Sequence, residues 1–208
     1  MCSAVLLWSG GKDCYWALRT LLGQGVRVHA LITTFDETTA TVPIHGVPLA
    51  AIEAQAESLG FPLWTVPLPW PCSNDVYQER LKPVWSRAVQ AGCVAVAFGD
   101  LFLEDVRAFR ERQLDGTGMK LLFPLWRRST AALADEMIRE GMQAIVTSVD
   151  ASTLDPSNAG RRFDRSFLGE LPEGADPCGE NGEFHTFVYD GPGFSAPLKL
   201  SLLQPGAA

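Results

Sequence analysis

Paired cysteines are missing from the chain. Cys2, Cys14, Cys72, Cys93 and Cys178 are scattered, odd in number and never in a CxxC spacing. That pattern argues against a disulfide framework and a zinc site and leaves reduced thiols as the expectation. Lysine is scarce, four against thirteen arginines, and no basic run is long enough to track a phosphate backbone, the nearest being residues 107–112. With a net charge of −7, large nucleic acid is an unexpected partner. No apolar run approaches the length that spans a bilayer, and no basic region followed by an apolar stretch and a cleavage site opens the chain. No membrane partner is therefore expected, and the cytoplasm is the expected location. Both common nucleotide signatures are absent too: neither GxxxxGK[ST] nor GxGxxG occurs, so neither a kinase-type NTPase nor a nicotinamide enzyme is indicated.

What is present is enough apolar material for a real core, 47% of 208 residues. One compact domain, or one with a smaller appendage, is the expected result. Residues 3–8 form a short apolar run without strict alternation, as in a central parallel strand covered on both faces, and residues 14–22 are apolar at helical spacing. Between them stands Ser9-Gly-Gly-Lys-Asp13. Adjacent glycines let the backbone approach a ligand, and the next helix offers free N–H groups and the positive end of its dipole. Ser9 adds a hydroxyl, Lys12 a point charge, and Asp13 a carboxylate able to hold a magnesium ion that bridges phosphate oxygens.

Further strands are expected at 27–34, 63–68, 93–98 and 119–123, with helices at 49–59, from 73–75 to about 91, and at 104–114. Pro83 can kink the second of these helices. This alternation predicts an α/β fold, a doubly wound, five-stranded parallel Rossmann-like sheet. Ligands of such sheets lie outside the carboxyl ends of the strands, where the pattern places residues 9–13, 33–46 and 99–105. The polar, Thr-rich stretch 35–47 reads as a functional loop. After Pro124 the texture changes: a helix at 130–140, a strand at 143–149, a short helix at 163–171 and an alternating strand at 184–189 predict a smaller α+β lobe over residues 125–208, beside an α/β domain of residues 1–124 that carries the anion cradle. A few disordered residues are expected at the C-terminus.

A second segment, Asp176-Pro-Cys-Gly-Glu-Asn-Gly-Glu-Phe-His-Thr186, concentrates carboxylates, an amide, a histidine and a threonine between glycines. Glu180, Glu183 and His185 there can bind an amine, a metal or a proton in transit. The alternative reading is a turn into an edge strand.

The first motif resembles the pyrophosphate loop, SGGxD, of the ATP pyrophosphatase superfamily (the HUP-type fold). Taken with Gly99-Asp100, Pro124-Leu-Trp126 and Gly179 to Thr186, in that order, nearly the whole chain resembles the diphthine-ammonia ligase family. The resemblance implies adenylation of a carboxylate by ATP, displacement of AMP by ammonia and release of pyrophosphate, as in completing diphthamide on elongation factor 2. It assigns Ser9, Gly10, Gly11, Lys12 and Asp13 to the phosphates and places Gly99 and Asp100 near the ribose or reacting centre; Thr33, on the carboxyl edge of the sheet, is a further nucleotide-binding candidate, as is Gly99. His45, Gly46, Glu180, Asn181, Glu183, His185 and Thr186 fall on the acceptor and ammonia side, with Lys12, Asp13, Asp100, Glu183 and His185 as catalytic candidates. ATP and magnesium are the implied cofactors, ammonia and an unidentified carboxylate the partners, with a homodimer left open. The chain departs from the family pattern at Cys14, where the superfamily often has serine, and at Asn181 and His185, where diphthamide-making members favour glycine and an acidic residue. An acceptor other than elongation factor 2 is therefore left open.

Other readings stay open alongside. Cys178 as a nucleophile would fit a tRNA-modifying relative of the same fold, and a non-catalytic, universal-stress-type ATP sensor would need neither Lys12-Asp13 nor the 179–186 segment. His29 reads as core and His45 as evenly divided between structure and site. Arg107, Arg110 and Arg112 read as a solvated helix face that can also steer a phosphate. Trp126 can line the cleft.

Overall fold

The computed structural model describes residues 2–203. Its first part alternates strand and helix: β1 (Ser3–Leu7), α1 (Lys12–Gly23), β2 (Arg27–Asp36), a short pair β3 (Thr41–Val42) and β4 (Val47–Pro48), α2 (Leu49–Leu59), β5 (Leu63–Leu68), α3 (Asn74–Gln90), β6 (Ala95–Ala97), α4 (Glu104–Leu114) and β7 (Lys120–Leu122). Five strands run parallel in the order β5-β2-β1-β6-β7. The chain winds outward from β1 in one direction, then returns to β6 and winds the other way. The switch between β1 and β6 opens a crevice at their carboxyl ends.

Side-chain alternation explains why both faces are covered. Val5, Ile32 and Val96 point to the layer that holds Leu81 and Trp85 of α3, whereas Leu6, Leu31 and Ala97 point to the layer of Leu18 and Leu21 from α1 and Ile52 from α2. A strand buried on both sides has no polar positions to alternate, hence the continuous apolar runs.

The stretch 35–47 departs from the expected loop. β2 runs on to Asp36, whose carboxylate accepts from the Thr38 N–H at 2.9 Å and the Thr39 hydroxyl at 2.6 Å. This Asx-type turn reverses the chain, and β3 and β4 return as a small antiparallel hairpin beside the end of β2. The parallel core has five strands as expected, and the hairpin extends the sheet to seven. α3 passes through Pro83 without interruption.

The second part contains α5 (Thr130–Arg139), β8 (Gln143–Val149), α6 (Arg165–Gly169) and β9 (Phe184–Asp190), with β8 and β9 paired antiparallel. Helix α6 is shorter than the 163–171 expectation because Asp164 caps it, accepting from the Phe167 N–H at 2.9 Å. Phe163, Phe167, Phe184 and Phe187 join Tyr15, Trp16 and Leu18 of α1 in one continuous core. That shared core fixes β9 against the start of α1. No helix among the described residues is long and apolar enough to cross a membrane. The expected C-terminal tail lies outside the described residues.

Candidate active site

β1 ends at Leu7, and the chain turns through Ser9-Gly10-Gly11 into α1. Gly10 has φ +81°, and a Cβ there would lie 2.5 Å from Ile52 Cδ1, so only glycine fits. Its carbonyl accepts from the Val188 N–H of β9 at 2.9 Å and from the Gln55 side-chain amide at 3.0 Å. Gln55, fully buried on α2, also donates to the Val188 carbonyl at 2.5 Å and accepts from the Trp8 indole at 2.6 Å. Thr186 of β9 accepts from the Lys12 N–H at 3.1 Å, which leaves its hydroxyl proton to donate elsewhere. The phosphate-type loop is thus clasped by the segment that carries the second motif. Gly11, the residue before α1, has no side chain to cap the helix, and an uncapped first turn is suited to an anion.

The Lys12 ammonium is buried against the rings of Phe163 and Phe184, 5.9 and 5.4 Å from their centroids, and pairs with Asp13 at 2.8 Å. Burial alone would lower its pKa, but Asp13 more than offsets this and holds it above the ordinary lysine value. On the opposite wall stand Gly99 and Asp100, just beyond β6. A Cβ on Gly99 would lie 2.9 Å from the Asp13 carbonyl carbon and the Cys14 nitrogen, so glycine is what allows this loop to close on α1. Asp100 faces Arg110 of α4 at 3.8 Å, and Arg110 donates to the Tyr77 hydroxyl at 3.2 Å. Burial first, and then Asp13, push the Asp100 carboxyl up, against the pull of Arg110.

From the other side, Glu180 reaches across to accept from the Leu101 N–H at 2.7 Å and the Phe102 N–H at 3.3 Å. Burial, helped by Asp13 and Asp100, raises its carboxyl to about 7 despite those bonds. His185 and His45 lie with ring centroids 4.6 Å apart. Burial lowers both, His185 and Lys12 add to the effect on His45, and the His45 imidazole falls to about 4. Both are neutral at pH 7. The Ser148 hydroxyl donates to the Ile44 carbonyl at 3.0 Å and so ties the His45 hairpin to β8. Together these groups line one cleft of about 530 Å³.

The cleft brings together Ser9, Gly11, Lys12, Asp13, His45, Gly99, Asp100, Glu180, His185 and Thr186 of the expected residues. Thr33 is corrected: it is fully buried with its hydroxyl on the Trp8 carbonyl, and its neighbour Thr34 faces the cleft. A strand residue and its neighbour point to opposite faces, and the expectation chose the wrong one. Gly46 is an exposed hairpin turn at φ +63°. Glu183 is likewise turned from the cleft; its carboxylate accepts from the Asp176 N–H, the Asn181 N–H and the Asn181 amide at 2.9, 3.1 and 3.0 Å. Burial opposes ionisation there, yet these donors hold its carboxyl below the usual range. Glu183 and Asn181 therefore shape the 176–183 loop. Trp126 packs on Phe123 and Arg107 outside the cleft. Burial pushes the Cys178 thiol up to about 12, which removes it as a nucleophile at neutral pH.

Sequence reasoning missed Gln55 and undervalued Arg110. The signal for Gln55 was a lone amide three residues beyond Ile52 on the apolar face of α2.

The match extends to protein families. The diphthamide synthase N-terminal domain matches residues 1–121 and the diphthamide synthase C-terminal domain residues 129–204. The chain belongs to the diphthamide synthase family. Similar proteins are the diphthine–ammonia ligases of Bos taurus, 29% identical over 92% of this chain and 80% of that protein, and of Danio rerio, 28% identical over 95% and 86%. The Homo sapiens diphthine–ammonia ligase is 28% identical over 92% and 80%. A solved structure described as a predicted tRNA methyltransferase subunit from Methanocaldococcus jannaschii aligns with TM-score 0.43 and 19% identity over 72% of this chain and 80% of that one, too distant to bear on function.

Within this diphthamide synthase family chain, the Asp13 carboxylate keeps one oxygen, Oδ1, buried and without a partner among the described residues while Oδ2 pairs with Lys12. An orphaned carboxylate oxygen beside a phosphate cradle fits a hard divalent cation. Among the described residues no three His, Cys, Asp or Glu side chains are grouped to hold a metal alone. Asp13 is the residue that would hold magnesium here.

Proposed function

We propose that this protein is an ATP-dependent, amide-forming ligase that adenylates a carboxylate and joins ammonia to it, releasing AMP and pyrophosphate. The observation that carries the reading is the clasp of β9 on the glycine loop, through Thr186 to Lys12 and Val188 to Gly10. It fixes the second motif over the loop that would hold ATP. In this reading residues 1–124 hold the nucleotide and residues 125–208 supply the acceptor side.

The chemistry follows from the placement of charge. The α1 N-terminus, the Thr186 hydroxyl and Lys12 hold the β- and γ-phosphates and stabilise the charge that develops on departing pyrophosphate. Magnesium bound at Asp13 would screen the same oxygens. The acceptor carboxylate attacks the α-phosphorus as the bond to pyrophosphate breaks, and no covalent enzyme intermediate is needed. Ammonia then attacks the acyl carbon and AMP leaves. The nitrogen must shed a proton, and Glu180 and the neutral His185 stand on that wall to receive it. Diphthine is the acceptor suggested by the relatives' names, elongation factor 2 as its carrier is what the family resemblance implies, and the cytoplasm, which keeps thiols reduced, is the proposed setting.

The test is to incubate the protein with ATP, magnesium and ammonium, with and without a cell extract of its source and with diphthine-bearing elongation factor 2, and to measure AMP and pyrophosphate. Acceptor-dependent formation of both, abolished in Asp13→Ala, is expected. Formation of ADP, or no nucleotide turnover with any acceptor, would overturn the ligase reading.

A further inference from the structure

Among the described residues only two lysine or arginine side chains line the cleft, Lys12 and Arg110. Lys12 belongs to the glycine loop and is bound to Asp13. Arg110 is held less closely, 3.8 Å from Asp100. Its Nη1 donates to Tyr77, while its Nε and the Asp100 Oδ2, 3.8 Å apart, are both buried with no hydrogen-bond partner among the described residues. Leaving two such atoms orphaned is costly, and the guanidinium keeps donors beyond the one it gives to Tyr77. Arg107 and Arg112, on the same helix, do not line the cleft.

The position of Arg110 identifies the ligand oxygen those donors would meet. Its guanidinium carbon lies 5.0 Å from the Phe98 ring and 5.9 Å from that of Phe109, at the edge of an apolar stretch that includes Ile32, Leu68 and Tyr77. Asp100 on its other side leads to Asp13 and the loop. A nucleotide with its terminal phosphates on the loop and its base in the apolar stretch would place its α-phosphate at this junction. We propose that Arg110 is the cation that holds the α-phosphate, so that Lys12 and Arg110 divide the triphosphate between them. This rests on the nucleotide reading of the cleft. During adenylation an acceptor oxygen bonds to the α-phosphorus, the bridging oxygen leaves with its electron pair as pyrophosphate, and charge grows on the non-bridging α-oxygens. A planar fork of N–H donors fits those oxygens. Arg110 would then be a catalytic residue, and Tyr77 a positioning residue acting through it.

The same guanidinium could instead take the acceptor carboxylate, so binding is measured without acceptor. The full chain is titrated with AMP, adenosine and pyrophosphate. Arg110→Gln is expected to weaken AMP roughly thirtyfold, the loss of a charged hydrogen-bond pair, with adenosine and pyrophosphate unchanged. Tyr77→Phe keeps the ring and the fold and should weaken AMP several-fold only. It guards against a failure of Arg110→Gln to fold. Unchanged AMP affinity in the variants, or equal losses for all three ligands, would overturn the assignment. If the wild-type chain bound none of them, the nucleotide reading would fall together with it, an outcome distinct from wild-type binding that the variants leave intact.

Discussion

Gln55 offers the sharpest test of how the site is built. It makes three buried contacts, accepting from the Trp8 indole and donating to the Gly10 and Val188 carbonyls. Gln55→Met keeps the length of the side chain and removes all three. The Gly10 carbonyl still accepts from the Val188 N–H at 2.9 Å, so its loss is small. The Trp8 indole N–H, in a residue 3% exposed, is left unpaired at a cost of about 1–3 kcal/mol, and the loss at Val188 adds about 1 kcal/mol.

The expected destabilisation is therefore about 2–4 kcal/mol, which for a chain of this size lowers Tm by about 4–16 °C. Urea unfolding gives the free energy, and pyrophosphate titration reports the loop itself. Pyrophosphate affinity should fall with stability, because Gln55 holds the loop to β9 rather than touching the ligand. A loss below about 0.5 kcal/mol with unchanged pyrophosphate binding would refute the claim that this amide fixes the loop.

Gly99→Ala should abolish ATP binding, measured by calorimetry, because its Cβ would meet the α1 backbone at 2.9 Å and force the two loops apart. Glu183→Ala should destabilise the 176–183 loop by about 2 kcal/mol, read as faster local hydrogen exchange, because two backbone N–H groups lose their acceptor. His45 is held near 4 instead of 6.5, so its stabilisation is present above 6.5 and is lost as pH falls towards 4. His45→Gln should remove that part of the acid loss in thermal melts. Glu180 has the opposite sign: raised from 4.5 to about 7, it lowers stability progressively as pH rises through that window. Glu180→Gln should flatten that slope, and an unchanged slope would disprove the burial of its charge.

The features that chemistry repeats locally were legible in the sequence. α2, β5, α4 and β8 fall at the expected residues, because apolar periodicity and glycine stops are written within each segment. The place of Gly10 and Lys12 at a strand-to-helix turn was legible for the same reason, since an apolar run, two glycines and a helical pattern follow one another there. What failed depends on which way a side chain turns. Thr33 and Thr34 are one residue apart on β2, and only the register against β1 decides that Thr34 meets the cleft. Glu183 reads as chemistry in isolation, yet three N–H donors in its own loop claim it. Arg110 shows the converse error. On a helix with Arg107 and Arg112 it reads as one of a solvated set, and only its contacts with Tyr77 and Asp100 set it apart. A buried polar group is decided by partners far away in the chain. The residues most in need of a structure are therefore polar ones on otherwise apolar faces, and here those are Gln55 and Arg110, the two on which the loop and the α-phosphate depend.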